Sequence, residues 1–162
     1  MLITIHAIGR LKAGATHALS DAYLTKANQF AGRAGYTGVS VREYAESRAR
    51  DTATRKREEG ASILSATAAA GRSVNILLDE TGKALTSRAF ASRLEQWRDQ
   101  QASAVHFLIG GPDGHGDDVR KHAAHTLSFG PATLPHGLAR IVLLEQVYRG
   151  FTILAGHPYH RD

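Results

Sequence analysis

Three short segments place glycine, proline and polar residues directly after apolar runs, and they are where this sequence could bind a ligand. They are residues 78–83 (Leu-Asp-Glu-Thr-Gly-Lys), 109–114 (Ile-Gly-Gly-Pro-Asp-Gly) and 129–136 (Phe-Gly-Pro-Ala-Thr-Leu-Pro-His). Glycine lets the backbone approach a ligand closely, and proline stiffens a loop. Such loops suit a neutral, flat ligand such as adenine, held through backbone hydrogen bonds. Taken alone, the pair Gly110 and Gly111 is also typical of an ordinary tight turn.

The motifs of several other chemistries are absent from the sequence. No Walker lysine follows the glycines, no G-x-G-x-x-G opens a helix, and neither G-x-S-x-G nor H-E-x-x-H occurs. His122 and His125, three residues apart on a predicted short helix, could share a metal ion. No carboxylate stands at a matching spacing, so we interpret both as surface histidines and predict no metal site. His6 and His106 are predicted to be hydrogen-bonded residues within buried strands.

The C-terminal segment gathers polar side chains capable of catalysis around an apolar helix. These side chains belong to His136, Arg140, Glu145, Arg149, Tyr159, His160 and Arg161. Glu145 and Arg149 are four residues apart and are predicted to pair on the helix surface. That pair is equally consistent with simple stabilisation of the helix.

Apolar periodicity predicts alternating strands and helices that would position these segments. The predicted strands are residues 2–8, 39–44, 74–78 (ending at Asp79), 105–109 and 127–129. The predicted helices are residues 16–30, 51–70, 86 or 87 to about 97, 117 or 118 to 125, and 138–154. This alternation predicts a single α/β domain over residues 1–162, with a largely parallel sheet and helices on both faces. The three ligand-binding segments would then meet at the carboxyl ends of the strands, where open α/β sheets bind ligands.

The amino-acid composition limits the possible binding partners and the cellular compartment. The chain of 162 residues has a formal charge of +5 at pH 7, which favours a polyanionic partner such as nucleic acid. The charges of residues 42–57 are interspersed, however, as on any solvated helix. The absence of cysteine excludes disulfides, thiolate metal sites and a cysteine nucleophile, and it fits the cytoplasm. The apolar start of the chain predicts a buried strand rather than a signal peptide, and no apolar run reaches the length of a membrane helix.

Four motifs taken together resemble one enzyme family. Residues 108–114 (Leu-Ile-Gly-Gly-Pro-Asp-Gly), 133–136 (Thr-Leu-Pro-His), 145–149 (Glu-Gln-Val-Tyr-Arg) and 157–161 (His-Pro-Tyr-His-Arg) occur in the order typical of the ribosomal RNA large subunit methyltransferase H family. Its members are bacterial SPOUT-class enzymes that methylate N3 of a pseudouridine in 23S rRNA. The resemblance covers nearly the whole chain. It implies a C-terminal trefoil knot, a homodimer, S-adenosylmethionine as methyl donor without a metal ion, and 23S rRNA within the assembled ribosome as substrate.

The resemblance also implies site residues. The donor would be held by Leu78, Gly110, Gly111, Phe129, Gly130, Pro131, Ala132, Thr133 and Leu134. The candidates for proton transfer and anion stabilisation are His136, Arg140, Tyr159 and His160, among which the base is not assigned. The dimer would use an apolar stripe on the last helix, formed by Leu138, Ile141, Val142, Leu144, Glu145 and Tyr148. A helix buried within its own domain would show the same stripe.

Two other functions remain open at this point. A non-catalytic RNA- or ribosome-binding protein would account for the basic charge, although it would not need three rigid loops after strands. A nucleotide-binding regulator is disfavoured because the phosphate-binding motifs are absent.

Overall fold

A five-stranded parallel sheet forms the centre of the computed structural model, which describes residues 1–68 and 71–161. The strands lie in the order β2-β1-β4-β3-β5, and every neighbouring pair is parallel. Their bounds are β1 (Leu2–Ile8), β2 (Gly38–Tyr44), β3 (Val74–Ala84), β4 (Ala104–Ile109) and β5 (His125–Ser128). All the carboxyl ends therefore meet at one edge of the sheet.

Five α-helices in the described part of the chain cover the two faces of this sheet. They are α1 (Ala15–Ala31), which a short 3₁₀ turn (Gly32–Ala34) extends, α2 (Thr52–Thr67), α3 (Ser87–Asp99), α4 (Asp117–His122) and α5 (His136–Leu154). On one face, Ile5 and Phe107 of the sheet join a large buried cluster with side chains of α1, α3 and α5. On the other face, Leu108 packs in a smaller cluster with Ile63 of α2 and Val119 of α4. The predicted α/β architecture is thus confirmed.

Polar side chains fix the beginnings of α2 and α3 where the sequence predicts them. The Asp51 carboxylate accepts a hydrogen bond from the Thr54 amide (2.8 Å), and the Thr86 hydroxyl accepts one from the Ala89 amide (3.2 Å). Each bond satisfies a backbone donor that the first helical turn leaves unpaired. The predicted end of α2 at Ala70 lies outside the described residues.

Strand β3 does not end at Asp79 as predicted. Leu78 and Lys83 both pair with Leu127 of β5, so residues 79–82 form an excursion from a strand that continues to Ala84. Gly82 makes the excursion possible, because a Cβ atom there would lie 2.6–2.8 Å from the backbone of residues 126 and 127. A glycine inside a strand is a known sign of such an irregularity. Apolar periodicity alone does not distinguish this irregularity from a turn that ends the strand.

The prediction of a helix extending to His125 is wrong. Helix α4 ends at His122, and the Ala124 amide donates to the Asn75 carbonyl (2.8 Å), which draws the chain into the sheet. His125 therefore begins β5 while His122 remains on the helix, and the two do not share a helix face. Strand β5 also ends at Ser128, so Phe129 belongs to the following loop.

The histidines of the inner strands form a buried chain of hydrogen bonds. His6 bonds to the Tyr44 hydroxyl through Nδ1 (2.7 Å) and to His106 Nδ1 through Nε2 (3.0 Å). Burial, together with the neighbouring His106, lowers the pKa of His6 to about 4. The prediction of a hydrogen-bonded residue is confirmed for His6, whereas Nε2 of His106 is buried without a partner in the described structure.

Helix α5 is buried mainly within its own chain. Ile141, Leu144 and Tyr148 of the predicted dimer stripe are each less than a tenth exposed, whereas Leu138 is 48% exposed. Part of the apolar stripe is thus explained by packing against α1 and α3. None of the described helices is both long and apolar enough to span a bilayer.

Candidate active site

A cleft of about 690 Å³ opens at the carboxyl edge of the sheet, and all three segments singled out from the sequence line it. One wall is residues 78–81, from the excursion of β3. The second wall is formed by residues 109–115 at the end of β4. The third wall follows β5 and is formed by residues 129–136 except Pro131. The parallel sheet brings these segments together although they are widely separated in sequence. Pro131 is exposed outside the cleft.

A buried histidine at the end of the second wall anchors this wall to β4. His115 is 5% exposed, and its Nε2 lies 3.1 Å from the Leu108 carbonyl oxygen, so that nitrogen carries the hydrogen and donates it. Burial lowers the pKa of His115 to about 4, which keeps the ring neutral at pH 7. The Gly114 amide closes the loop onto the Gly111 carbonyl (2.9 Å). Sequence reasoning missed His115, which immediately follows the glycine-rich motif but belongs to no known ligand spacing.

The two adjacent glycines of this wall are closely packed against the surrounding residues. A Cβ atom at Gly111 would lie 2.9 Å from Oε2 of Glu59 and 3.0 Å from Cγ2 of Ile8. A Cβ atom at Gly110 would lie 3.0 Å from the backbone of Gly114. Close packing thus favours glycine at both positions. This reason differs from the expectation that glycine leaves the backbone open to a ligand.

The first wall presents carboxylates to the cleft. Burial raises the pKa of Asp79, but hydrogen bonds from Thr81 and Arg120 outweigh this and lower it to about 2. Nη2 of Arg120 lies 2.6 Å from the Asp79 carboxylate. Glu80 accepts a hydrogen bond from the Thr133 hydroxyl (3.0 Å), which joins the first wall to the third.

The cleft lining is acidic although the chain is basic. The described lining contains the carboxylates of Asp79, Glu80 and Asp113 against the guanidinium of Arg120. Asp113 pairs with Arg55 of α2 (2.6 Å). Within residues 1–68 and 71–161, Glu80 forms no ion pair, so its charge is available to a cationic group in the cleft.

The third wall begins with a turn fixed by Ser128. The Ser128 hydroxyl donates to the Gly130 carbonyl (2.9 Å) and accepts from the Gly130 amide (3.0 Å). Gly130 has φ +117°, which side-chain-bearing residues rarely adopt, while a Cβ atom there would meet nothing within 4 Å. The glycine is therefore needed for backbone conformation, and the space beside it is open.

The four predicted catalytic residues do not all lie in the cleft. His136, the first residue of α5, lines it. Arg140 is 2% exposed, and its guanidinium donates to the Glu43 carboxylate (2.5 Å) and the Gly9 carbonyl (3.0 Å). Although burial raises the pKa of Glu43, the bonds from the Leu11 amide and Arg140 lower it overall. Arg140 thus ties the ends of β1 and β2 to α5, and it does not line the cleft of its own chain.

The C-terminal residues pack on the middle of α5. Tyr159 donates its hydroxyl hydrogen to Oε1 of Glu145 (3.2 Å) and lies under the Arg149 guanidinium (4.7 Å to the ring centre). Arg149 also pairs with Glu145 (2.5 Å), as predicted, and reaches His160 Nδ1 (3.4 Å). Burial and the Glu145 carboxylate raise the pKa of Tyr159 to about 12. Tyr159 and His160 therefore lie outside the cleft of their own chain.

The described residues contain no group of three or more His, Cys, Asp or Glu side chains that could hold a metal ion. The polar lining of the cleft consists of backbone groups and of side chains that include carboxylates, hydroxyls, Arg120, His115 and His136.

Comparisons with known proteins agree along almost the whole chain. Residues 1–160 match the family described as "Predicted SPOUT methyltransferase". Proteins named ribosomal RNA large subunit methyltransferase H from Chelativorans sp. (strain BNC1) and Rhodopseudomonas palustris (strain BisB5) are 49% and 47% identical to it. The first match covers 99% of this chain and 91% of the relative, and the second covers 99% of each.

The fold is also similar to a solved structure of remote sequence. A probable methylase family protein from Haemophilus influenzae Rd KW20 matches with a TM-score of 0.51 over 99% of this chain and 70% of that chain. The two sequences are 9% identical, so this likeness concerns the fold alone.

Proposed function

Because this chain belongs to the SPOUT methyltransferase family, and its close relatives are named ribosomal RNA large subunit methyltransferase H, we propose that it methylates N3 of a pseudouridine in 23S rRNA with S-adenosylmethionine as donor. The observation that carries this proposal is the convergence of three separate loops on one cleft at the carboxyl edge of the sheet. The name of these relatives states that they methylate ribosomal RNA of the large subunit. We propose the pseudouridine and its N3 atom in addition.

The cleft fits the methyl donor in size and in charge. Its volume of about 690 Å³ is within the range of cofactor sites, and its glycine-rich walls expose backbone groups that can read an adenine. S-adenosylmethionine carries a sulfonium and an ammonium group, which the acidic lining complements. When bound, the donor supplies a methyl group already activated for displacement, so the protein must orient the two reactants and remove one proton.

Glu80 is proposed to accept the ammonium group of the donor. Asp79 and Asp113 each face an arginine, whereas Glu80 takes a hydrogen bond from the neutral Thr133 hydroxyl. Thr133 holds the carboxylate in place without neutralising it. Glu80 would therefore distinguish an amino-acid-bearing ligand from a bare adenosine thioether.

His136 is proposed to take the imide proton of the pseudouridine as the new N–C bond forms. His136 lines the cleft, whereas the other three candidate residues do not. An imidazole is also suited to proton transfer near neutral pH. The high pKa of Tyr159 makes its phenolate scarce at pH 7. Arg140, bound to Glu43 and Gly9, would position the neighbouring loops, while Tyr159 and His160 would serve the RNA.

The setting of the reaction is also proposed. We propose that the protein acts in the cytoplasm on the assembled ribosome, as a homodimer with a C-terminal trefoil knot. Leu19 of α1 and Leu138 of α5 are each 48% exposed on helices that pack against each other, which leaves apolar surface for a second copy. A site built from two chains would bring the C-terminal residues of one copy to the RNA held by the other.

Isothermal titration calorimetry with S-adenosylmethionine tests the donor site. We expect saturable binding by the purified protein even in the presence of a chelator, because the proposed donor site uses no metal ion. A non-catalytic RNA-binding protein would bind rRNA without binding the donor. A folded protein that shows no heat of binding would contradict the proposed function.

A further inference from the structure

The connection between β2 and α2, residues 45–51, carries two exposed guanidinium groups at the same edge of the sheet as the cleft. Arg48 and Arg50 are both exposed, and neither forms an ion pair within residues 1–68 and 71–161. Because β2 is parallel to the other strands, its carboxyl end delivers this connection to the edge where the cleft opens. Residues 45–51 are called the β2–α2 loop below.

Side chains of α2 hold the β2–α2 loop in one conformation. Glu59 accepts a hydrogen bond from the Ser47 amide (2.9 Å), and Glu58 accepts one from the Ser47 hydroxyl (2.5 Å). Arg55 donates to the carbonyl oxygens of Ala49 (3.1 Å) and Arg50 (2.9 Å). The loop has no regular secondary structure, yet its backbone is fixed, so its exposed side chains are presented without a large ordering cost.

The acidic groups around the loop are already engaged in the fold. Glu58 and Glu59 bind Ser47, and Asp51 caps α2 by accepting from the Thr54 amide (2.8 Å). Glu46 faces the other way, with its carboxylate beside Gly9. These hydrogen bonds hold the carboxylates in place without neutralising them, but no described carboxylate lies within ion-pair distance of Arg48 or Arg50. Both exposed guanidinium groups are therefore available to an anionic ligand.

The loop is joined directly to the wall of the cleft. The Arg55 guanidinium that binds the loop carbonyls also donates through Nε to Asp113 (2.6 Å), which lines the cleft. A single side chain thus connects the loop backbone with the glycine-rich wall. The cleft is lined by three carboxylates, whereas the rim here carries two exposed guanidinium groups without ion pairs in the described structure, so a phosphate group would bind at the rim rather than in the interior.

We propose that the β2–α2 loop is a phosphate-contacting rim, in which Arg48 and Arg50 bind the RNA backbone beside the nucleotide that enters the cleft. This inference rests on the proposed function and names the surface that positions its RNA substrate. Guanidinium groups suit this role because they bind phosphate oxygens in a bidentate manner. Contacts of this kind set register and orientation and carry no sequence information.

The test is the salt dependence of binding to ribosomal particles purified from a bacterial strain that lacks the corresponding methyltransferase. Arg48→Ala, Arg50→Ala and the double variant are compared with wild type, and Arg72→Ala is the control. Arg72 is also exposed and forms no ion pair with any residue that the structure describes, but it lies before β3, at the opposite edge of the sheet. Each lost phosphate contact should reduce the slope of log K against log salt by ~0.7–0.9. We expect about that change for each single variant and twice it for the double variant.

Donor binding keeps this inference separate from the proposed function. The loop variants should bind S-adenosylmethionine like wild type, since neither arginine lines the cleft. Methylation at low concentration of particles should fall in the double variant and stay unchanged in Arg72→Ala. Equal salt slopes for the double variant and Arg72→Ala would overturn the inference. If the wild-type protein does not bind S-adenosylmethionine, the proposed function is contradicted instead.

Discussion

Replacement of the buried His115 by glutamine should remove a measurable part of the acid sensitivity of the fold. The His115 ring is neutral in the native state, and burial lowers its pKa from 6.5 to about 4. Between these values the unfolded chain binds a proton that the native chain does not bind. The free energy of unfolding must therefore rise with pH through this window and be lost as the pH falls from about 6.5 toward 4.

The size of the effect follows from the two pKa values. Between pH 7 and pH 5, the proton taken up by the unfolded chain at this one residue lowers the free energy of unfolding by about 2 kcal/mol. Glutamine keeps an N–H group that can donate to the Leu108 carbonyl, but it does not titrate. The stability of His115→Gln should thus fall by about 2 kcal/mol less than that of wild type over this range. His6, whose pKa is also about 4, titrates in both proteins and cancels in the comparison.

Urea unfolding at pH 7 and pH 5, followed by circular dichroism, measures this difference. The comparison between the two pH values is independent of any constant cost of the substitution. His122→Gln, which replaces an exposed ring on α4, is the control and should follow the wild type. If wild type and His115→Gln lose the same stability between pH 7 and pH 5, His115 is not buried as a neutral ring, and our account of the second wall is wrong.

Four further predictions concern the donor site, the packing of the glycine-rich loop, the C-terminal residues and the dimer. Glu80→Gln should weaken the binding of S-adenosylmethionine about 10-fold in calorimetry. The binding of 5′-methylthioadenosine, which has no ammonium group, should stay unchanged, and equal losses for both ligands would contradict the role of Glu80. Gly111→Ala should lower the free energy of unfolding by about 1–3 kcal/mol in urea titration, because its Cβ atom meets Glu59, and unchanged stability would refute this packing argument. Deletion of residues 157–162 should abolish methylation while donor affinity and dimerisation stay near wild type; joint loss of both would instead indicate that these residues only dock on the protein. Light scattering should show a dimer that Leu138→Glu dissociates, and a monomeric wild type at micromolar concentration would exclude the dimer.

The sequence predicts the sheet and the cleft because both depend on local signals. Apolar runs ended by glycine mark the strands, and the parallel arrangement brings their carboxyl ends to one edge. The segments that contain Gly110, Gly111 and Gly130 therefore meet in the cleft without any further information. The excursion of β3 was not predictable in this way, because Gly82 indicates a turn and a close approach between strands equally well.

Long-range contacts account for what the sequence does not reveal. The carboxyl end of α4 looks helical as far as His125, but a hydrogen bond from Ala124 to Asn75 directs the chain into β5. Arg140 looks like a catalytic group because of its type and position, and its burial against Glu43 appears only when β2 and α5 are packed together. His115 was missed for the same reason, since its partner Leu108 lies on the preceding strand.

Mass spectrometry of 23S rRNA tests the central claim most directly. The rRNA is isolated from a bacterial strain that lacks the corresponding methyltransferase, with an empty vector or with a plasmid that expresses this protein. We expect expression to add one methyl group to N3 of a pseudouridine, and purified protein with S-adenosylmethionine to add the same group to ribosomes from the mutant strain. Unmodified 23S rRNA in the presence of folded, expressed protein, or a methyl group on another base, would contradict this claim.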